Sequence, residues 1–195
     1  MTNLQEEKVN KIKTFNKEDW SSAYKNVEKE LTKESLFLSK GQHIKGLNGT
    51  LLRNGPGMLE RAGKWVHHPF DGDGMITAIK FEEGKPFLTN KFVKTKGYLE
   101  EEKNNKFIYR GVFGTQKAGG IINNALDLKL KNIANTHVVK LGDEILALWE
   151  AAGPHALDPN SLETIGLTTL KGVLKPNEAF SAHPKIDLNS KSSPE

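Results

Sequence analysis

The chain has 195 residues, 36% hydrophobic and 27% charged, with a net charge of +4 and no cysteine. That length suits one domain with a buried core or a piece of a larger one, and the lack of cysteine excludes disulfides, thiolate nucleophiles, iron–sulfur clusters and cysteine-built zinc sites. The positive balance comes from lysines scattered among glutamates; Arg53, Arg61 and Arg110 are the only arginines, so the guanidinium forks that read phosphate and guanine are scarce and no nucleic-acid role is expected.

In chain order, the opening MTNLQEEKVNKIKTF has no continuous apolar core of the signal-peptide kind, and no window reaches the apolar length of a membrane span; a cytoplasmic location is the expectation. Residues 16–31 place Trp20, Tyr24, Val27 and Leu31 on one helical face behind Asn16 as N-cap, which predicts an amphipathic helix docked by its aromatic stripe, within an N-terminal extension over 1–40. From Gly41 the texture changes to short apolar or alternating runs separated by Gly, Asn, Asp or Pro: GTLLR, MITAIKF, PFLTNKFV, NKFIYRGVF, THVVKL, EILALWEA, HALD, LETIGLTTL and AFSAHP. Such spacing predicts an all-β fold, a sandwich, barrel or propeller, over 41–187. Within it, Asp158-Pro159-Asn160-Ser161 reads as the turn of a hairpin. The segment 116–133 fits helix and strand periods equally, and its Lys117, Lys129 and Lys131 among apolar residues leave two readings open, core packing or contact with a membrane surface.

Residues 53–76, RNGPGMLERAGKWVHHPFDGDGMI, gather glycines, aspartates and adjacent histidines. Asp71-Gly72-Asp73-Gly74 lacks the distal glutamate of a calcium loop, and no Gly-Lys-Ser/Thr run follows for a phosphate loop. Its glycines, with those of NGPG, read as turns needing positive φ. His67 and His68 on a strand would point to opposite faces, and their apolar neighbours favour hydrogen-bonded structural histidines over ligands.

The run from RNGPG to DGDGMI, then LKNIANTHVV, ALWEAAGPHALDPNSLETIG and FSAHPKID, resembles in the same order the amino-terminal portion of the carotenoid cleavage oxygenases, the family that also contains the retinal pigment epithelium isomerase, from about Trp20 to Asp187. The resemblance implies a seven-bladed β-propeller, of which this chain holds the first blades, carrying non-haem Fe(II) on its axis and cleaving a carotenoid or apocarotenoid double bond with dioxygen. It implies His183 of FSAHPKID as the first of four iron-binding histidines. Glu150 of the LWE motif is implied to accept the free ring N–H of another ligand histidine, fixing its orientation. It further implies Thr136 of ANTHVV over an open coordination position, Trp149 and Phe70 at the substrate tunnel, and no ligand role for His155. His137, alternating away from Thr136 on a strand, is not expected to bind metal.

Taken from the residues alone, a neutral imidazole suits Fe(II), and a histidine on a short β run before a proline would be held at a stiff strand end. Glu150 ends a run apolar enough for burial, where an unpaired charge would be costly. The resemblance also implies membrane contact near 116–133, with Ile121, Ile122 and Leu126 dipping into the interface and Lys117, Lys129 and Lys131 meeting head groups. The other three iron ligands are expected beyond the end of this chain, and LNSKSSPE over 188–195 departs from the family's continuation. Two functional classes therefore stand: the oxygenase, and a non-catalytic propeller fragment with one of the four ligand histidines.

Overall fold

The structure is a computed structural model and describes residues 23–117 and 130–185. Ten strands make two four-stranded antiparallel sheets and a small hairpin. The first sheet runs in the order β1 (Leu31–Ser35), β6 (Lys85–Phe92), β5 (Asp73–Glu82), β2 (Gly49–Met58). The second is a meander, β7 (His137–Leu141), β8 (Glu144–Leu148), β9 (His155–Leu157), β10 (Thr164–Leu167), in sequence order across the sheet. β3 (Glu60–Arg61) and β4 (Lys64–Trp65) form the hairpin. A helix, α1, spans Lys96–Asn104. Among the described residues no helix is long and apolar enough to cross a membrane.

The sheets share one core. Ile76 and Ala78 of β5 meet Val138, Ile145, Ala147 and Leu157 of β7 to β9, with Val93, Ala134 and Leu162 closing the cluster. Each fully buried aliphatic side chain is worth roughly 1.5–3 kcal/mol, so this shared layer is what joins the sheets. The DPNS turn forms as its residues dictate: the Asp158 carboxylate accepts from the Asn160 N–H, the Ser161 N–H and the Ser161 hydroxyl, at 3.0, 2.7 and 2.9 Å.

Five expectations are corrected. The helix over 16–31 does not run through its described part: residues 24–30 carry no regular structure and Leu31 opens β1, paired with Asn90 of β6; Trp20 lies outside the described residues. NKFIYRGVF is not a strand. Before it stands α1, which no periodicity announced; it is capped by Thr95, whose side chain accepts from the Tyr98 N–H, and closed by Asn105 at φ 46°. AFSAHP forms no strand either, so His183 sits on a bend and not at a strand end.

The glycines of NGPG and DGDG are not turn glycines: none has positive φ, and Gly55 and Gly57 lie inside β2, which tolerates Pro56 because it is an edge strand. Gly57, Gly72 and Gly74 serve close approach instead, while Gly55 has open space where a Cβ would stand. A Cβ on Gly57 would stand 2.8 Å from the Met75 Cβ, and one on Gly74 would run into the Ala134 carbonyl.

The fifth correction is Lys131, which lies in the core and not at a head-group surface. Its Nζ is 2.6 Å from Glu101 and 2.9 Å from Asp73, and Arg61 stands 3.4 Å from Asp73 and 3.8 Å from Glu101. Burial pulls the Lys131 pKa down, but the two carboxylates outweigh it and the net shift is upward. Ile121, Ile122, Leu126 and Lys129 of the same segment lie outside the described residues, as does the tail 188–195.

Candidate active site

The segment 132–137 carries Thr136 and His137, and its course is fixed by amide side chains from both sides. Asn54 on β2 donates to the Ala134 and His137 carbonyls, each at 2.8 Å. Asn135, buried, donates to the Phe70 and Gly72 carbonyls at 2.9 and 2.8 Å. Asn132 accepts from the Ala134 N–H at 3.1 Å, which accommodates Ala134 at φ 44°. The Gly74 N–H donates to the Ile133 carbonyl at 2.8 Å, so the first sheet's central strand grips the same segment.

On this platform the Thr136 hydroxyl donates to a Glu150 carboxylate oxygen at 3.1 Å, while its N–H donates to the Leu148 carbonyl. Glu150 is exposed, against the expectation of a buried carboxylate: Trp149, 4% accessible, takes the buried position at the end of β8 and the next residue turns to solvent. One residue along from Thr136, the ring of His137 lies against that of His183, with centroids 5.5 Å apart and planes tilted by 39°. The structure therefore brings Thr136 and Glu150 together, and His183 to His137. Sequence reasoning passed over His137 because strand alternation turns it from Thr136; nothing local signals that the bend carrying His183 arrives on its side.

Phe70 is 59% exposed in a small aromatic group, edge-on to His68 at 4.8 Å and to Phe113 at 5.6 Å. His68 caps the short 3-10 helix Pro69–Asp71 by accepting from the Phe70 N–H, and the His67 backbone N–H donates to the Thr115 hydroxyl, so the chain at both histidines is tied into the fold. Asp71, buried, accepts from the Phe113 N–H, the Thr115 N–H and the Thr115 hydroxyl at 2.9, 3.1 and 2.7 Å. Both aspartates of DGDG are thus fold anchors. His155 is buried with its pKa pushed down to about 4 by desolvation, and its Nδ1 lies 3.3 Å from the Asn132 amide.

As to metal, the donor chemistry fits at one position. His183 offers an imidazole from an exposed bend, its ring against that of His137. Among the described residues no three His, Asp or Glu side chains converge to hold an ion. These residues fit the rim of a nitrogen-ligated site and not its whole donor set.

Two antiparallel sheets joined by a shared core define a β protein in which one clamped segment carries Thr136, bonded to Glu150, and His137, packed against His183. Residues 24–193 match the family described as retinal pigment epithelial membrane protein, and the chain belongs to that family, the carotenoid cleavage oxygenases. It is 48% identical over 176 residues to the apocarotenoid-15,15'-oxygenase of Synechocystis sp., covering 90% of this chain and 36% of that enzyme. It is 32% identical over 181 residues to the chloroplastic carotenoid cleavage dioxygenase 8 of Arabidopsis thaliana, covering 86% and 31%. Cobalt-substituted Synechocystis apocarotenoid oxygenase superposes with a TM-score of 0.80 at 48% identity over 87% of this chain and 36% of that one. Variants of that enzyme with a glutamate, a threonine or a tryptophan replaced have also been solved and match equally well. The chain spans about a third of the length of these relatives.

Proposed function

We propose that this chain is the amino-terminal part of a ferrous-iron-dependent oxygenase that cleaves a conjugated double bond of a carotenoid or apocarotenoid, its two four-stranded sheets being blades of a β-propeller. The observation that carries the reading is that adjacent residues of one clamped segment each engage a residue the family's motifs single out, Thr136 bonding Glu150 and His137 packing against His183, in a chain of this family. In the reaction, dioxygen adds across one C=C bond, the carbon–carbon bond breaks, and each carbon leaves with one oxygen atom as an aldehyde or ketone. Ferrous iron, when bound, supplies the position at which dioxygen is activated.

The chain's own residues have narrower tasks. His183 contributes one imidazole. Glu150 accepts a ring N–H of a ligand histidine contributed from outside the described residues, and its bond to Thr136 fixes the carboxylate's direction. Thr136 presents its methyl group toward the coordination position, and Phe70 and Trp149 supply apolar surface to the polyene. The alternative, a non-catalytic fragment, draws support from the absence of any three-ligand cluster among the described residues, and by this reading the 195 residues alone do not turn over. Lys131 is committed to the core and takes no part in peripheral membrane contact.

A chimera joining this chain to the remaining two thirds of the Synechocystis enzyme tests the proposal. Incubated with an apocarotenal in air, it yields two shorter carbonyl products by chromatography; a folded chimera that leaves the polyene intact would refute the assignment.

A further inference from the structure

We propose that His137 is a positioning residue for His183, its ring restricting the His183 imidazole to one orientation; the inference rests on the reading of His183 as a metal ligand. The two histidines are held very differently. His183 lies on a bend outside any strand, exposed, followed by Pro184, with its N–H donating only to the nearby Ser181 hydroxyl at 3.2 Å. A side chain on such a segment has several open rotamers, and a ligand that must be ordered at the moment of binding binds more weakly than one already aimed. His137 opens β7 opposite Leu148, and its carbonyl accepts from Asn54 at 2.8 Å. Asn54 sits in β2 and grips Ala134 as well, so the backbone beneath the His137 ring is fixed by both sheets.

The 5.5 Å centroid separation and 39° tilt are those of two rings in contact. The fixed ring therefore closes off part of the space open to the His183 ring. This is the service usually rendered to a ligand histidine by a hydrogen-bonding carboxylate, here performed by a packed face. His137 is the first residue of β7, just after the bend at Thr136, and its ring meets the bend that carries His183.

The test uses the chimera with the remaining two thirds of the Synechocystis enzyme, with Co(II) as probe, in the parent, His137→Ala and His137→Phe. Ring-to-ring nuclear Overhauser effects and the rotamer-sensitive couplings of His183 are measured first. The parent and His137→Phe show a ring contact and one dominant His183 rotamer, and His137→Ala shows averaging, with β7–β8 amide signals unchanged in all. Titrated Co(II) then perturbs the His183 ring in each, with an apparent Kd about tenfold weaker in His137→Ala and within about twofold of the parent in His137→Phe. A phenylalanine variant as weak as the alanine variant would mean that a His137 nitrogen binds metal, and overturns positioning. So does a parent without the ring contact but with an intact Co(II) response. A parent in which the rings touch yet Co(II) leaves His183 unmoved overturns instead the ligand reading, and with it the role of His137.

Discussion

Replacing Lys131 by Met separates the core role of this lysine from any surface role. Four buried charges balance there, Arg61 and Lys131 against Asp73 and Glu101, with each side chain 5% exposed or less, while Glu102 at 52% meets Arg61 from the rim. Methionine keeps the aliphatic stem that lies against Gly97, so packing there changes little, and only the ammonium over the Phe107 ring is lost. What changes is the charge: Asp73 and Glu101 are left to share Arg61 at the longer distances of 3.4 and 3.8 Å. Removing one partner of a buried pair costs about 3–5 kcal/mol, a large part of the 5–15 kcal/mol typical of a whole domain. Glu101 adds to the cost, because it also accepts from the Ile108 and Tyr109 N–H groups and so ties α1 to the chain that follows. Urea unfolding followed by tryptophan fluorescence reads the difference, and the double variant Lys131→Met with Asp73→Asn recovers part of it. A loss below about 1 kcal/mol for Lys131→Met would refute the buried network and return this lysine to solvent.

Three further outcomes are expected. His155 stays neutral in the fold because burial lowers its pKa from 6.5 to about 4; as pH falls below 6.5 the unfolded chain takes up the proton first, so about 3 kcal/mol of stability is lost between those values. His155→Asn removes that part of the acid sensitivity, and parallel stability–pH curves for parent and variant would contradict the assignment. Gly74→Ala costs more than about 3 kcal/mol or abolishes folding, whereas Gly55→Ala, with nothing within 4 Å of the new Cβ, stays within about 1 kcal/mol; equal losses by thermal melting would undo the close-approach argument. In the chimera, Glu150→Gln lowers metal affinity or turnover about ten- to a hundredfold, and unchanged values for both would remove Glu150 from the site.

Period-two runs and turn residues made most of the sheets legible: β6, β7 to β10, most of β5 and the first half of β2 fall on predicted runs, and DPNS forms the predicted turn. What failed depended on partners distant in sequence. The Tyr24, Val27, Leu31 spacing imitates a helix face, but Leu31 is claimed by Asn90 of β6. α1 is short and has little apolar periodicity; its signals were the Thr95 cap and the Asn105 stop, which outweigh a weak pattern. Lys131 looked like a surface cation because Asp73 and Glu101, which draw it inward, lie in other elements. The glycines of NGPG and DGDG were visible as a cluster, but whether a glycine serves a turn or a close approach is settled by the neighbouring strand. Of the site, Thr136, Glu150, Trp149 and His183 were reached through the family's motifs. The meeting of His183 with His137 required the three-dimensional path of the bend.

Iron content of the purified chimera, compared with His183→Ala and His67→Ala versions that melt at the same temperature, tests the central claim most directly. The account predicts about one iron per chain in the parent and in His67→Ala, and near-complete loss in His183→Ala. Full iron occupancy in His183→Ala, or equal loss in both variants, would contradict it.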